Sequence, residues 1–167
     1  MNNRRKAFSL MELLLVVAIL FILLSLLLPA GIALRERSKI KRAAAEAQLI
    51  VKGVQAYRSV YGKWPCQAQG AQDMTYGTNS TVMQALATNP RGITFIQAPV
   101  NPNTDEFTDP WDRSYIIAMD CNEDGNVNLV LSAPISTNVT IRNETAAVMS
   151  LGPDPINPSK RVCSWAP

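Results

Sequence analysis

The first third of the chain carries one long apolar run. Residues 13–34 contain no charged side chain. As a helix rising about 1.5 Å per residue they reach roughly 33 Å, enough to cross the hydrocarbon core of a bilayer. The run is typical of a retained membrane helix. It is also compatible with the core of a secretory signal that is cut after the small residues 31–33 and leaves Leu34 as the new N-terminus.

After Arg35 the apolar positions recur at spacings of three and four residues. They are Ile40, Ala43, Ala44, Ala47, Ile50, Val51, Val54, Tyr57 and Tyr61. This periodicity predicts that the helix continues with one face covering a core. Gly62 and Pro65 predict its end. The pattern therefore divides one long helix into a membrane or filament-core part, residues 8–34, and an amphipathic part, residues 35–61.

Residues 62–167 change character, with turn residues separating short apolar runs. Ser80 is placed to cap a short helix over residues 81–88. The strand-like runs are residues 93–96, 114–119, 127–133 and 146–151, with 139–142 as an edge strand or part of a long hairpin. The predicted fold class is α+β, a long N-terminal helix packed on a small antiparallel sheet.

Composition narrows the function. The chain has 16 basic and 13 acidic residues, and three of the basic ones precede Ala7. Without them the two signs balance, which argues against nucleic-acid binding. The absence of histidine removes the commonest general base and zinc ligand, and no nucleophile–base pair stands out. We therefore expect no enzymatic activity.

The segment Lys6-Ala-Phe-Ser-Leu-Met-Glu12, with the apolar run behind it, resembles the signal of type IV pilins and type II secretion pseudopilins. In that family a prepilin peptidase cuts before the phenylalanine and methylates its new amine. The resemblance implies a leader of residues 1–7 and a cut between Ala7 and Phe8. It makes Glu12 the fifth mature residue and Pro29 a helix-bending proline. Ala7 stands where the family usually has glycine.

Glu12 is a carboxylate at the edge of an apolar helix. A charge inside such a helix costs roughly 2.5–3.5 kcal/mol on insertion scales, so it usually has a partner or a function. The resemblance implies that it pairs with the α-amine of Phe8 on a neighbouring subunit and sets the axial register. The alternative is a side chain that only reaches the headgroup level.

Two further elements are similar to those of major pseudopilins of the G type. Residues 109–115, Asp-Pro-Trp-Asp-Arg-Ser-Tyr, resemble the family's Asp-Pro-Trp-Gly-x-Pro-Tyr, with Asp112 and Ser114 as departures. Residues 149–154 resemble its Ser-x-Gly-x-Asp turn. The family holds a structural calcium near this turn, but residues 155–161 are basic here instead of acidic.

A separate calcium candidate is the turn over residues 120–125. Its spacing places the side-chain oxygens of Asp120, Asn122 and Asp124 on one side of a bend at Gly125. Leu131 stands where an EF-hand needs its glutamate, so this is not an EF-hand. The alternative is a polar turn that satisfies its own backbone. The sequence therefore predicts calcium as the cofactor.

The cysteines and tryptophans complete the candidate residues. Cys66, Cys121 and Cys163 fit no CxxC pattern. One disulfide that includes Cys163 is favoured, because it would hold the C-terminal tail; three free thiols are the alternative. Trp64 and Trp111 are expected to pack under loops rather than form a binding platform.

These observations predict a structural subunit of a type II secretion pseudopilus, a homo-oligomeric filament with sibling minor pseudopilins. The implied partners are a prepilin peptidase and an inner-membrane assembly platform with its ATPase. The protein would be a single-pass inner-membrane protein with residues 62–167 in the periplasm. The basic residues from Arg35 to Arg42 favour the opposite orientation by charge alone. Alternatives are a minor type IV or competence pilin and a membrane-anchored or secreted calcium-dependent binding module.

Overall fold

The computed structural model describes residues 9–66, 72–131 and 135–165, with the side chains of residues 26–30 left outside the description. The chain divides into two compact units, Met1–Lys39 and Ile40–Pro167. Helix α1 covers Leu10–Tyr61, which confirms the predicted long helix. Among the described helices, α1 included, none combines the length and hydropathy needed to cross a bilayer.

The second unit contains a short helix and two antiparallel sheets. Its elements after α1 are β1 Met74–Tyr76, α2 Ser80–Ala87, β2 Ile116–Met119, β3 Asn126–Leu131, β4 Thr137–Arg142, β5 Ala146–Ser150 and β6 Val162–Cys163, with a 3₁₀ turn at Pro158–Lys160. The larger sheet has the order β1-β2-β5-β6, and β3 and β4 form a separate hairpin. The α+β architecture is as predicted.

The two central strands of the larger sheet, β2 and β5, are buried on both faces. Every residue of β2 and β5 is buried, and alternate residues belong to two different clusters. Ile117 and Val148 point into the cluster that contains α1 and α2, whereas Ile116 and Met149 point into the cluster that contains the β3–β4 hairpin. Because side chains alternate along a strand, a continuous apolar strand needs cover on both sides.

The amphipathic part of α1 supplies much of the first cluster. Ala47, Ile50 and Val54 are fully buried, in line with the predicted stripe, but Ile40 at its start is exposed. Gly53 lies where the chain near Ile96 approaches the helix, and a β-carbon there would stand 3.4 Å from the carbonyl oxygen of Phe95. A small residue is therefore needed at this point of the helix.

Three local predictions in this unit are wrong. Residues 93–96 form no strand, because Ile96 is buried by side-chain packing and the amide of Phe95 bonds to the carbonyl of Leu86. Strand β1 lies in a segment where the sequence pattern predicts no strand. The N-cap of α2 is Asn79 rather than Ser80, and its side chain makes no capping bond. That buried amide instead bonds to Phe107 and Tyr115.

Candidate functional site

The N-terminus of α1 is closed by a reciprocal pair of hydrogen bonds. The amide of Ser9 donates to a carboxylate oxygen of Glu12 at 3.2 Å, and the amide of Met11 donates to the hydroxyl of Ser9 at 3.3 Å. Serine followed three residues later by glutamate is the capping-box pattern, which satisfies amides that the helix cannot pair. The sequence contains this Ser-x-x-Glu signal, but our interpretation of Glu12 as a charge alone missed it.

Beyond this cap, α1 exposes apolar side chains all round. The large hydrophobic side chains described between Leu10 and Leu24 are 41–86% exposed. They are Leu10, Met11, Leu13, Leu14, Leu15, Val16, Val17, Ile19, Leu20, Phe21, Ile22, Leu23 and Leu24. A helix that is apolar on every side is normally buried, in a larger assembly or in a membrane. Ala7 and Phe8 lie outside the described residues, and so does the side chain of Pro29.

The two C-terminal sequence elements that resembled pseudopilin motifs come together in space. Asp109 is 3% exposed, and one of its oxygens accepts from the amides of Trp111 and Arg113 at 2.9 and 3.0 Å. Its other oxygen accepts from the hydroxyl of Ser150 at 2.5 Å. The amide of Gly152 in turn donates to that hydroxyl at 3.0 Å. A buried carboxylate is tolerated here because its hydrogen bonds are made.

One departure from the family motif, Asp112, fits this arrangement. Asp112 adopts a left-handed φ of +61°, the conformation that favours glycine and that aspartate tolerates. Arg113 donates through its guanidinium to the carbonyl of Gly152. The 109–115 turn is therefore bonded to the 149–154 turn through the side chains of both Asp109 and Arg113.

The 120–125 segment is a polar turn closed by its own side chains. The two oxygens of Asp120 accept from the amides of Asp124 and Gly125 at 3.2 and 3.0 Å. The Asn122 side-chain oxygen accepts from the amide of Asp124, and Asp124 accepts from Asn126. The hydrogen bond from the Asn126 amide, followed by those from the side-chain amides of Asn122 and Asn126, lowers the pKa of the Asp124 carboxyl. All three predicted ligands thus lie in one turn, with their oxygens engaged by N–H groups.

The described residues contain no group of three or more His, Cys, Asp or Glu side chains that could hold a metal. Calcium at Asp120, Asn122 and Asp124 stays a prediction. An ion there would have to share oxygens that already accept backbone hydrogen bonds.

The three cysteines are free, so the favoured disulfide is not present. Cys121 belongs to the cluster on one side of the sheet and Cys163 packs against the cluster on the other. The C-terminal tail is held instead by strand β6, which pairs with β5, and by the side chain of Gln48, which bonds to the carbonyl of Ser164. Burial raises the pKa of both the Cys121 and the Cys163 thiol.

The aromatic residues mostly anchor loops. Trp64 is 1% exposed and its indole donates to the carbonyl of Asp120 at 2.6 Å, which confirms packing; Trp111 is half-buried. Sequence reasoning missed the buried Tyr115, whose hydroxyl donates to Glu46 at 2.6 Å. Burial, and then this bond, raise the pKa of Tyr115. No local pattern relates residues 46 and 115, so no sequence signal identified this contact.

Comparison with known proteins identifies a family motif in the N-terminal segment. Residues 2–28 match the family model of the prokaryotic N-terminal methylation motif. No curated protein and no solved structure matched the chain. The motif is the prepilin signal of type IV pilin-like proteins, which in general implies a membrane-anchored N-terminus, processing by a prepilin peptidase and assembly into filaments. The N-terminal segment thus carries a type IV pilin-type methylation motif.

Proposed function

We propose that this protein is a structural subunit of a type II secretion pseudopilus, without a catalytic role. The observation that carries the proposal is the exposed apolar part of α1 directly behind a prepilin-type methylation motif. That surface needs a partner, and identical helices packed side by side supply one. The Asp109–Ser150 contact supports the secretion class, because it joins the two elements that resemble major pseudopilins.

In this proposal Glu12 has two roles at successive stages. In the single chain its carboxylate caps α1 through the amide of Ser9. In the filament it also neutralises the methylated amine of Phe8 on the next subunit, because a buried charge is tolerated only when it is paired. The subunit would wait in the inner membrane with residues 62–167 in the periplasm. A prepilin peptidase, an assembly platform with its ATPase, and minor pseudopilins would be its partners.

The capping box supplies a sharp test of Glu12. Glu12→Gln retains an oxygen that caps the helix but removes the charge, whereas Ser9→Ala weakens the cap and retains the charge. The full-length chain would be produced with a prepilin peptidase and a type II secretion assembly system. We expect Glu12→Gln to be inserted and processed but to lose filaments from the sheared fraction, and Ser9→Ala to assemble. Normal assembly of Glu12→Gln would contradict the proposed charge pair between Glu12 and the Phe8 amine of the next subunit.

The mature N-terminus tests the proposal as a whole. Peptide mass spectrometry should find methylated Phe8 as the first residue, and a start at Leu34 would instead identify a secreted soluble protein. The chain would also be expressed in a strain whose own major pseudopilin has been deleted. Restored protein export in that strain would distinguish a secretion pseudopilin from a minor type IV or competence pilin. Filaments without restored export would favour a pilin.

A further inference from the structure

A groove opens beside the C-terminal end of α1. It encloses about 460 Å³ and is lined by Gln55, Arg58, Ser59, Trp64, Glu123 and Thr145, with Gly62 at its edge. All of these residues belong to the second unit. The groove lies where the end of the helix faces the 120–125 turn and the start of β5.

Arg58 is the cation of this groove, and it is held in place by an aromatic ring. Its guanidinium carbon lies 4.3 Å from the centre of the Trp64 ring, and Trp64 is itself buried. Stacking on an aromatic face restricts a guanidinium without using its N–H groups. Among the described residues, the guanidinium makes one hydrogen bond, through Nη2 to Glu123 at 2.7 Å. Most of its five donors therefore remain available.

The ion pair with Glu123 is open to exchange. The Glu123 side chain is 66% exposed, and surface pairs of this kind contribute little because water and salt screen them. Glu123 also adopts a left-handed φ of +61°, a conformation that L-residues rarely adopt. A pre-oriented guanidinium with an exposed and replaceable partner suits a carboxylate brought by another molecule, since carboxylates match its fork.

The second unit itself offers such carboxylates. Among its described residues the exposed acidic side chains are Asp105, Asp112, Glu123 and Asp124. The last two belong to the turn beside the groove. Asp105 and Asp112 lie on the 101–112 segment, and neither side chain has a hydrogen bond or ion pair within the described parts of the chain. Both stand on tight turns, with φ of +54° and +61°.

We propose that the Arg58 groove binds the acidic 101–112 segment of a second copy of this chain, through Asp105 or Asp112. The inference rests on the proposed filament, in which each subunit meets the next through two different surfaces. The Arg58 groove and the 101–112 segment, whose Asp105 and Asp112 carboxylates have no partner within the described residues, would supply those two surfaces. The contact would orient neighbouring globular domains, separately from the packing of their apolar helices.

Charge reversal and its rescue test this contact in filaments of the full-length chain. We expect Arg58→Glu to lower filament yield about tenfold, because the introduced carboxylate would face the Asp105 or Asp112 carboxylate of the neighbouring subunit. Combining it with Asp105→Lys or Asp112→Lys should restore most of the yield. Lys52→Glu, the same charge change at an exposed position of α1 outside the groove, is the matched control and should assemble normally. Assembly of Arg58→Glu at the level of Lys52→Glu would overturn the inference.

A second measurement covers the case in which Arg58→Glu fails to fold. A photo-crosslinking residue in place of Ser59, at the groove, should form an adduct with residues 101–112 of another copy in native filaments. Adducts elsewhere, or none, would overturn the groove contact while leaving the filament intact. If the native chain forms no filaments at all, the proposed function fails and this inference fails with it.

Discussion

The hydroxyl of Ser150 donates to the buried carboxylate of Asp109 at 2.5 Å, and this bond joins two turns 41 residues apart in the chain. Ser150 ends β5, and Asp109 lies in the loop before β2. The same serine hydroxyl accepts from the amide of Gly152, so one side chain holds both turns. The contact gives a structural role to two motifs that a family resemblance alone had singled out.

Removing either member of this pair should destabilise the domain. We expect Asp109→Ala to lower the free energy of unfolding by about 3 kcal/mol, because it leaves the buried Ser150 hydroxyl and two part-buried amides without an acceptor. Ser150→Ala should cost about 1–2 kcal/mol. Denaturant unfolding of the full-length chain followed by circular dichroism measures both. The exposed Asp112→Ala is the control, and a loss there as large as at Asp109 would contradict the assignment.

Gly152 should tolerate no side chain. A β-carbon there would stand 2.0 Å from the carbonyl oxygen of Lys160, and its φ of +69° is strained for any L-residue. We expect Gly152→Ala to cost on the order of 3 kcal/mol or more, because backbone cannot move aside cheaply. Gly77→Ala is matched, since nothing lies within 4 Å of a β-carbon at that position. Equal melting temperatures for the two variants would refute the close contact.

Tyr76 should make stability fall at alkaline pH. Burial raises the pKa of its hydroxyl to about 12, and the hydroxyl donates to the carbonyl of Cys66 at 3.0 Å. Below the ordinary pKa of about 10 both states are protonated, so the contribution is complete there. As the pH rises towards about 12, the unfolded chain ionises first and the contribution is lost. Tyr76→Phe should flatten this part of the stability–pH curve, and an unchanged curve would show that other groups dominate.

The thiols should differ in reactivity. Cys66 is exposed, Cys121 is buried and Cys163 is half-buried, and all three are free. Burial raises the pKa of all three thiols, so the difference in exposure, rather than in ionisation, separates their reactivity. A thiol reagent should therefore modify Cys66 rapidly in the native protein and all three after unfolding without reductant. Recovery of a single thiol after unfolding would reveal a disulfide.

Calcium is tested at the 120–125 turn. If an ion binds Asp120, Asn122 and Asp124, a calcium concentration about ten times Kd should stabilise the chain by about 1.4 kcal/mol. Asp124→Asn should remove that gain, whereas Asp154→Asn, outside the turn, should retain it. The melting temperature with calcium and with a chelator measures the effect. No difference between the two conditions would leave the turn as a purely hydrogen-bonded structure.

Local patterns predicted much of the molecule correctly. The periodicity and the terminating Gly62 gave α1, and the apolar runs gave β2, β3 and β5 to within a few residues. Such signals are local because the period of a helix or a strand can be recognised within a few consecutive residues. Strand β1 escaped because three half-buried residues, Met74–Tyr76, carry too short a pattern to stand out among turn residues.

The candidate sites divide in the same way. The methylation motif, the Ser9–Glu12 capping box and the apolar helix behind them are all encoded in local sequence, since each depends on neighbours a few residues apart. The folded domain, in contrast, was needed to show that Asp109 contacts Ser150, that Tyr115 contacts Glu46, and that Cys121 and Cys163 lie in different clusters. These contacts depend on which strands pair and which face each side chain takes, and distant segments settle both only when the core closes.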